Sequence, residues 1–180
     1  FPDVNVFSYA FLGPLVGALS RAGTGWISDK FGGGRVTLWT FLGMMIAVGG
    51  VLFFLGIKTQ PGAFWGFFAC FMALFFLTGV GNASTFQMIP TIMRHQIPRL
   101  MPELDEKETL RQAERESAAI IAFTSAIAAY GAFFIPKSYG TSISMTGGPE
   151  AALWGFGIFY GISFVITWYC YARRNASVPC

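Results

Sequence analysis

Residues 63–93 read AFWGFFACFMALFFLTGVGNASTFQMIPTIM, 31 positions without one charged side chain. A helix crossing the hydrocarbon core of a bilayer needs about 20 apolar residues. This run is long enough to tilt or to project beyond the membrane. Stretches of the same character lie on either side of it. Residues 36–57, 117–136 and 151–172 are uncharged, and residues 7–28 hold one charge, Arg21. The runs are too long for barrel strands and lack their alternation of about ten residues. The sequence therefore predicts an all-α membrane protein, a bundle of five transmembrane helices.

Composition agrees. Hydrophobic residues make up 54% of the 180 and charged residues 12%, against about 25% charged in soluble domains. Mean hydropathy is +0.55. A soluble fold of this size would leave too many apolar side chains without a core. The 22 glycines fit as well, because glycine is commoner in membrane helices than in soluble ones.

The connecting segments are polar. Residues 29–35 are charged and glycine-rich, and residues 58–62 form a short turn with Pro61. Residues 94–116 hold five basic and six acidic side chains. This linker is expected to be a solvated connector, although Glu103 and Lys107 stand at a spacing that would support a surface helix. Residues 137–150 are rich in Gly, Ser and Thr, with a Gly147-Gly148-Pro149 turn.

Lys and Arg in short loops set membrane orientation. Lys30, Arg35, Arg94, Arg99, Lys107, Arg111, Arg115, Arg173 and Arg174 fall on one side, and Lys58 and Lys137 on the other. This bias predicts a multi-pass protein of the cytoplasmic membrane with its C-terminus in the cytoplasm. The net charge of +3 is thus a matter of topology and not of nucleic-acid binding. The chain starts with Phe and not Met, so the expectation is that upstream residues precede it. Cys70, Cys170 and Cys180 lack metal-type or redox spacing and read as free thiols. The single histidine, His95, lies in the polar linker, too few ligands for a haem or metal site. No cofactor is expected.

Arg21 is the sharpest feature. A cation near a helix centre costs about 2.5–3.5 kcal/mol on insertion scales. It stands seven residues before the end of its span, roughly 10 Å of helix rise. One reading is a structural Arg that snorkels or pairs with a carboxylate, but no other span holds Asp or Glu. The other is an anion site, since guanidinium is always charged and its planar fork of donors suits a planar oxyanion. Gly13, Gly17, Arg21, Gly25 and Asp29 recur every four residues. Small residues at that spacing let a second helix approach closely, and an Arg within such a stripe points into protein. Next comes Gly25-Trp26-Ile27-Ser28-Asp29-Lys30-Phe31-Gly32-Gly33-Gly34-Arg35. A simple charged turn is one reading of it.

That string resembles the loop signature of the major facilitator superfamily. The resemblance implies the other reading, in which Gly25, Asp29, Lys30, Gly32 and Arg35 form a candidate cytoplasmic latch, with Asp29 accepting from a helix N-terminus or pairing with Arg35. Phe11-Leu12-Gly13-Pro14-Leu15 with Arg21 and Ser28-Asp29-Lys30-Phe31-Gly32-Gly33 resembles the bacterial nitrate/nitrite porters of the NarK type. Gly81-Asn82-Ala83-Ser84-Thr85-Phe86-Gln87-Met88-Ile89 resembles their tenth helix, and residues 122–140, with Phe133-Phe134-Ile135-Pro136-Lys137, their eleventh. The resemblance implies that the five spans are helices eight to twelve of a twelve-helix transporter, the C-terminal half without its first helix. Its partner would be the missing N-terminal half, in a bacterial inner membrane. The family's substrate Arg matches Arg21, and its nitrate signature matches the stretch around Ser125 and Gly131. Ala128 and Ala132 stand where the family often has Gly, which would hold neighbouring backbone further off.

Asn82, Ser84, Thr85 and Gln87 crowd the lower half of the third span, where interhelical hydrogen bonding and cavity lining both fit. Thr124 and Ser125 allow the same two roles. The substrate-binding candidates are Arg21, Ser125, Gly131 and Asn82. The function expected is secondary active transport of nitrate and/or nitrite by alternating access, not enzymatic catalysis. The alternative is an anion channel or receptor-like anion-binding module. A membrane subunit of an oxidoreductase would need axial His ligands within the spans, and there are none.

Overall fold

The computed structural model describes residues 1, 4, 5 and 8–173. The start of the first expected span, together with Arg174 and Cys180, lies outside the described residues. The elements are all helical: α1 (Leu12–Gly23), α2 (Gly25–Phe31), α3 (Gly33–Gly56), α4 (Ala63–Leu100), α5 (Glu106–Ala129), α6 (Gly131–Thr146) and α7 (Glu150–Thr167), with a closing π-helical turn, Trp168–Ala172. Four helical stretches are long and apolar enough to cross a membrane unaided: Gly33–Gly56, Ala63–Leu100, Glu106–Thr146 and Glu150–Ala172. The first expected span, 7–28, is instead two short helices. Thr24 separates them, flanked by Gly23 and Gly25. Its hydroxyl donates to the Ser20 carbonyl at 2.6 Å and its N–H donates to the same oxygen at 3.0 Å. Both donors are thereby used at the end of α1, and φ −107°, ψ 3° turns the chain out of the helix.

Two further boundaries differ from expectation. Residues 94–116, expected as a solvated connector, are mostly helical and largely exposed. α4 continues to Leu100 through Pro90 and Pro98, and α5 starts at Glu106. Asp105 caps it, accepting from the Lys107 N–H at 3.1 Å, with Glu106 and Glu108 in the first turn where a carboxylate meets the positive helix end. Glu103 precedes the helix, so the i,i+4 pair that forms is Gln112 to Glu116, 2.9 Å. The fourth span does not stop at Pro136. After a break at Tyr130, α6 runs on to Thr146 and ends where Gly147 takes φ +80°, the left-handed geometry that glycine adopts without strain.

α4 is the hub. It packs against α1, α2, α3 and α5, while α7 covers α3 and α6 leans on α7. At 38 residues it is about 57 Å long, almost twice the hydrocarbon thickness of about 30 Å. The core joins Val48 and Val51 of α3 to Leu153 of α7, with Phe67, Cys70, Phe71 and Leu74 of α4 against them. The outer faces are apolar too. Trp154, Ile158, Ile162 and Val165 are all more than half exposed on α7. Their spacing of three to four residues makes one stripe. Water would penalise that stripe and lipid tails do not.

Candidate functional site

The glycine stripe of the first span lies on α4. A Cβ on Gly13 would strike the Phe75 ring, and one on Gly17 would sit 3.4 Å from the Phe75 carbonyl oxygen. Gly25 faces the Gln87 side chain, 3.2 Å from the position of such a Cβ. From α4 the fit is tightest at Gly79, where an added methyl would fall on Ser20 Oγ and the Gly17 carbonyl oxygen, 2.9 Å from the Arg21 nitrogen. The backbone of α4 therefore meets the backbone of α1 at Arg21 itself.

This contact sets the placement of Arg21. It is the one charged residue of α1 and is exposed. Its guanidinium carbon lies 5.2 Å from the centre of the Phe86 ring on α4, within the range at which a ring face attracts a cation. The guanidinium N–H donors make no hydrogen bond to another described residue. Among the described residues no carboxylate pairs with it.

Phe86 also lines a cavity of about 500 Å³ bounded by α3, α4, α5 and α7 with the π-helical turn. Its polar lining includes Thr37, Asn82, Thr85, Thr124 and Thr167, and no charged residue. Asn82 Oδ1 is buried without a hydrogen-bond partner. Nearby, Thr37 Oγ1 and Ser84 Oγ lie 2.8 Å apart, and Thr37 also reaches Met88 Sδ at 3.5 Å. This network fastens α3 to α4 at the cavity edge. Gln87 Oε1 and Ser28 Oγ are buried and unpartnered as well.

The structure brings together some of the sequence candidates and not others. Arg21 and Asn82 lie on elements that meet at Phe86. Ser125 is exposed on α5 and does not line the cavity, although its neighbour Thr124 and Ala128 do. Gly131 opens α6 just after the break at Tyr130, and a Cβ there would touch nothing nearer than Ile135 Cδ1 at 3.8 Å. α5 packs on α4 and makes no contact with α1. Sequence reasoning passed over Phe86 and Thr37. The signal for Phe86 was its spacing of four from Asn82, which puts both on one side of α4.

The latch candidates cluster at one end of the bundle. Gly25, Asp29 and Lys30 are in α2, Gly32 ends it, and Arg35 lies in the first turn of α3. Gly32 has φ +86°, a value that penalises any side chain. Asp29, Lys30 and Arg35 are exposed, and no ion pair joins Asp29 to Arg35 among the described residues. Lys30 Nζ instead sits 5.6 Å from the Phe31 ring centre.

Fold and residues together define the class: an all-α, multi-pass membrane bundle. No family model matches the chain. It is similar to the nitrate/nitrite transporter NarU of Escherichia coli (strain K12), 46% identical over 180 residues, covering 98% of this chain and 38% of the relative. NarU of Salmonella typhimurium is also 46% identical, over 179 residues, covering 97% of this chain and 38% of the relative. The probable nitrate/nitrite antiporter NarK2 of Thermus thermophilus is 35% identical over 175 residues, 96% of this chain and 34% of the relative. Over nearly its whole length this chain is thus similar to proteins named as nitrate/nitrite transporters. It spans little more than a third of the length of these relatives.

Proposed function

We propose that this chain forms the C-terminal part of a secondary active transporter that carries nitrate and/or nitrite across the bacterial cytoplasmic membrane by alternating access, with Arg21 binding the anion. The observation that carries this reading is the pairing of Arg21 with Phe86. It is a permanent cation in the otherwise uncharged stretch 7–28, set against an aromatic ring and without a hydrogen-bond partner among the described residues. A planar oxyanion accepts two parallel hydrogen bonds from such a fork, and its flat face can lie against the ring. Names of relatives that specify nitrate and nitrite support the substrate.

The remaining wall of the pocket comes from the N-terminal half of the same transporter, which closes over the exposed face of Arg21. Asn82 completes the site from α4, one helical turn from Phe86. The cluster of Gly25, Asp29, Lys30, Gly32 and Arg35 is the cytoplasmic latch, made and broken as the two halves rock about the anion. The C-terminus lies in the cytoplasm. One relative is named as an antiporter, and exchange of the two anions is the proposed mode. Countertransport in proteoliposomes tests this against a channel. Unlabelled nitrite on the far side accelerates labelled nitrate entry through an exchanger. Entry that is indifferent to the far side makes the protein a channel.

A further inference from the structure

A second groove, separate from the anion site, lies where α2, α3 and α4 meet beside the α2–α3 turn, and encloses about 590 Å³. Its floor is apolar, formed by Ile27, Val36, Phe76 and Leu77. At the turn its rim carries two cations, Lys30 and Arg35, both exposed. Trp39, 69% exposed, stands one helical turn further along α3. No carboxylate lines the groove. Asp29, next to Lys30, is not among its lining residues.

We propose that this groove holds an anionic phospholipid of the leaflet at the α2–α3 turn. The phosphate sits at Lys30 and Arg35, and an acyl chain lies along the apolar floor. Charge and shape together select this occupant. A free soluble anion would satisfy the cations and leave the floor bare. A neutral lipid would fill the floor and leave two cations without a counter-charge. Arg35 can grip a phosphate with two parallel donors. Trp and Lys or Arg are the usual anchors at a membrane interface.

Each basic residue near a membrane surface favours anionic lipid by roughly fivefold, so the pair gives a preference of about 25-fold. The test is native mass spectrometry of the full-length protein in mild detergent, titrated with phosphatidylglycerol or with phosphatidylcholine of the same acyl chains. Phosphatidylglycerol is retained preferentially by the unmodified protein. Lys30→Gln and Arg35→Gln, at exposed positions where folding is little affected, each remove about a fivefold share, and the double variant removes the preference. Lys58→Gln with Lys137→Gln, at the opposite end, leaves it intact. Equal retention of the two lipids by the unmodified protein overturns the proposal. So does a preference that survives loss of both cations, or displacement of the lipid by an equal concentration of glycerol phosphate, which would mark a site for soluble anions.

Discussion

Replacing Gly79 by Ala adds one methyl group at the closest approach of α1 and α4. That methyl falls on Ser20 Oγ and the Gly17 carbonyl oxygen and comes within 2.9 Å of the Arg21 nitrogen, where ordinary contact starts at 3.4 Å. Ser20 Oγ can rotate away at the loss of its 3.0 Å bond to the Gly17 carbonyl. The Gly17 oxygen and the Arg21 nitrogen are helix backbone and cannot. The Gly17 oxygen is the nearer of the two, so α1 must retreat by about 1 Å to restore ordinary contact, and overpacking of this kind costs about 1–3 kcal/mol. The retreat carries Arg21 away from Phe86, so anion affinity falls together with stability. Gly49 on α3 is the matched control, because a Cβ there meets nothing within 4 Å. Gly49→Ala removes only a glycine's backbone freedom and stabilises by about 0.5–1 kcal/mol. Thermal unfolding of the two variants of the full-length protein in detergent, with nitrate binding by calorimetry, reads both effects. Opposite signs are expected. A Gly79→Ala protein as stable as the parent and with its affinity would refute the close-packed seat of Arg21.

Thr37→Val breaks the hydrogen bond between α3 and α4, and interhelical bonds in membranes are worth about 0.6 kcal/mol, at most about 1.7. Thr40, equally buried, donates to Val36 of its own helix at 2.8 Å, so Thr40→Val costs less in the same unfolding assay. Asp29→Asn lowers the exchange rate in proteoliposomes more than it weakens anion binding, because the latch acts on the conformational step. An equal loss of both would point to a folding defect.

The apolar runs determined most of the fold, because lipid imposes one rule on every backbone group and helices satisfy it internally. Where the reading slipped, a local feature acted that hydropathy does not register. The break at Thr24 depends on a hydroxyl taking up the Ser20 carbonyl between two glycines. The continuation past Pro136 shows a membrane helix tolerating a lost N–H bond. The start of α5 was written in Asp105 and Glu108, an N-cap followed three residues later by a carboxylate, inside a segment whose charge suggested a solvated connector. In the candidate site, Arg21 was legible as the lone charge among spans. Its contact with Phe86 was not, since it depends on how far α1 is rotated against α4, and glycines at 17 and 79 set that rotation through tertiary contact. The exposure of Ser125 follows likewise from what packs on α5, which no pattern within α5 specifies.

The central claim is that the fork of Arg21 holds the anion. Its most direct test is the nitrate dissociation constant of Arg21→Lys in the full-length, folded protein. Lysine keeps the charge and loses the second parallel donor. A hydrogen bond to a charged group is worth about 1.5–3 kcal/mol, so affinity falls about 10- to 150-fold while insertion and thermal stability stay near those of the parent. An affinity within about threefold of the parent, less than 1 kcal/mol, would take Arg21 out of the site.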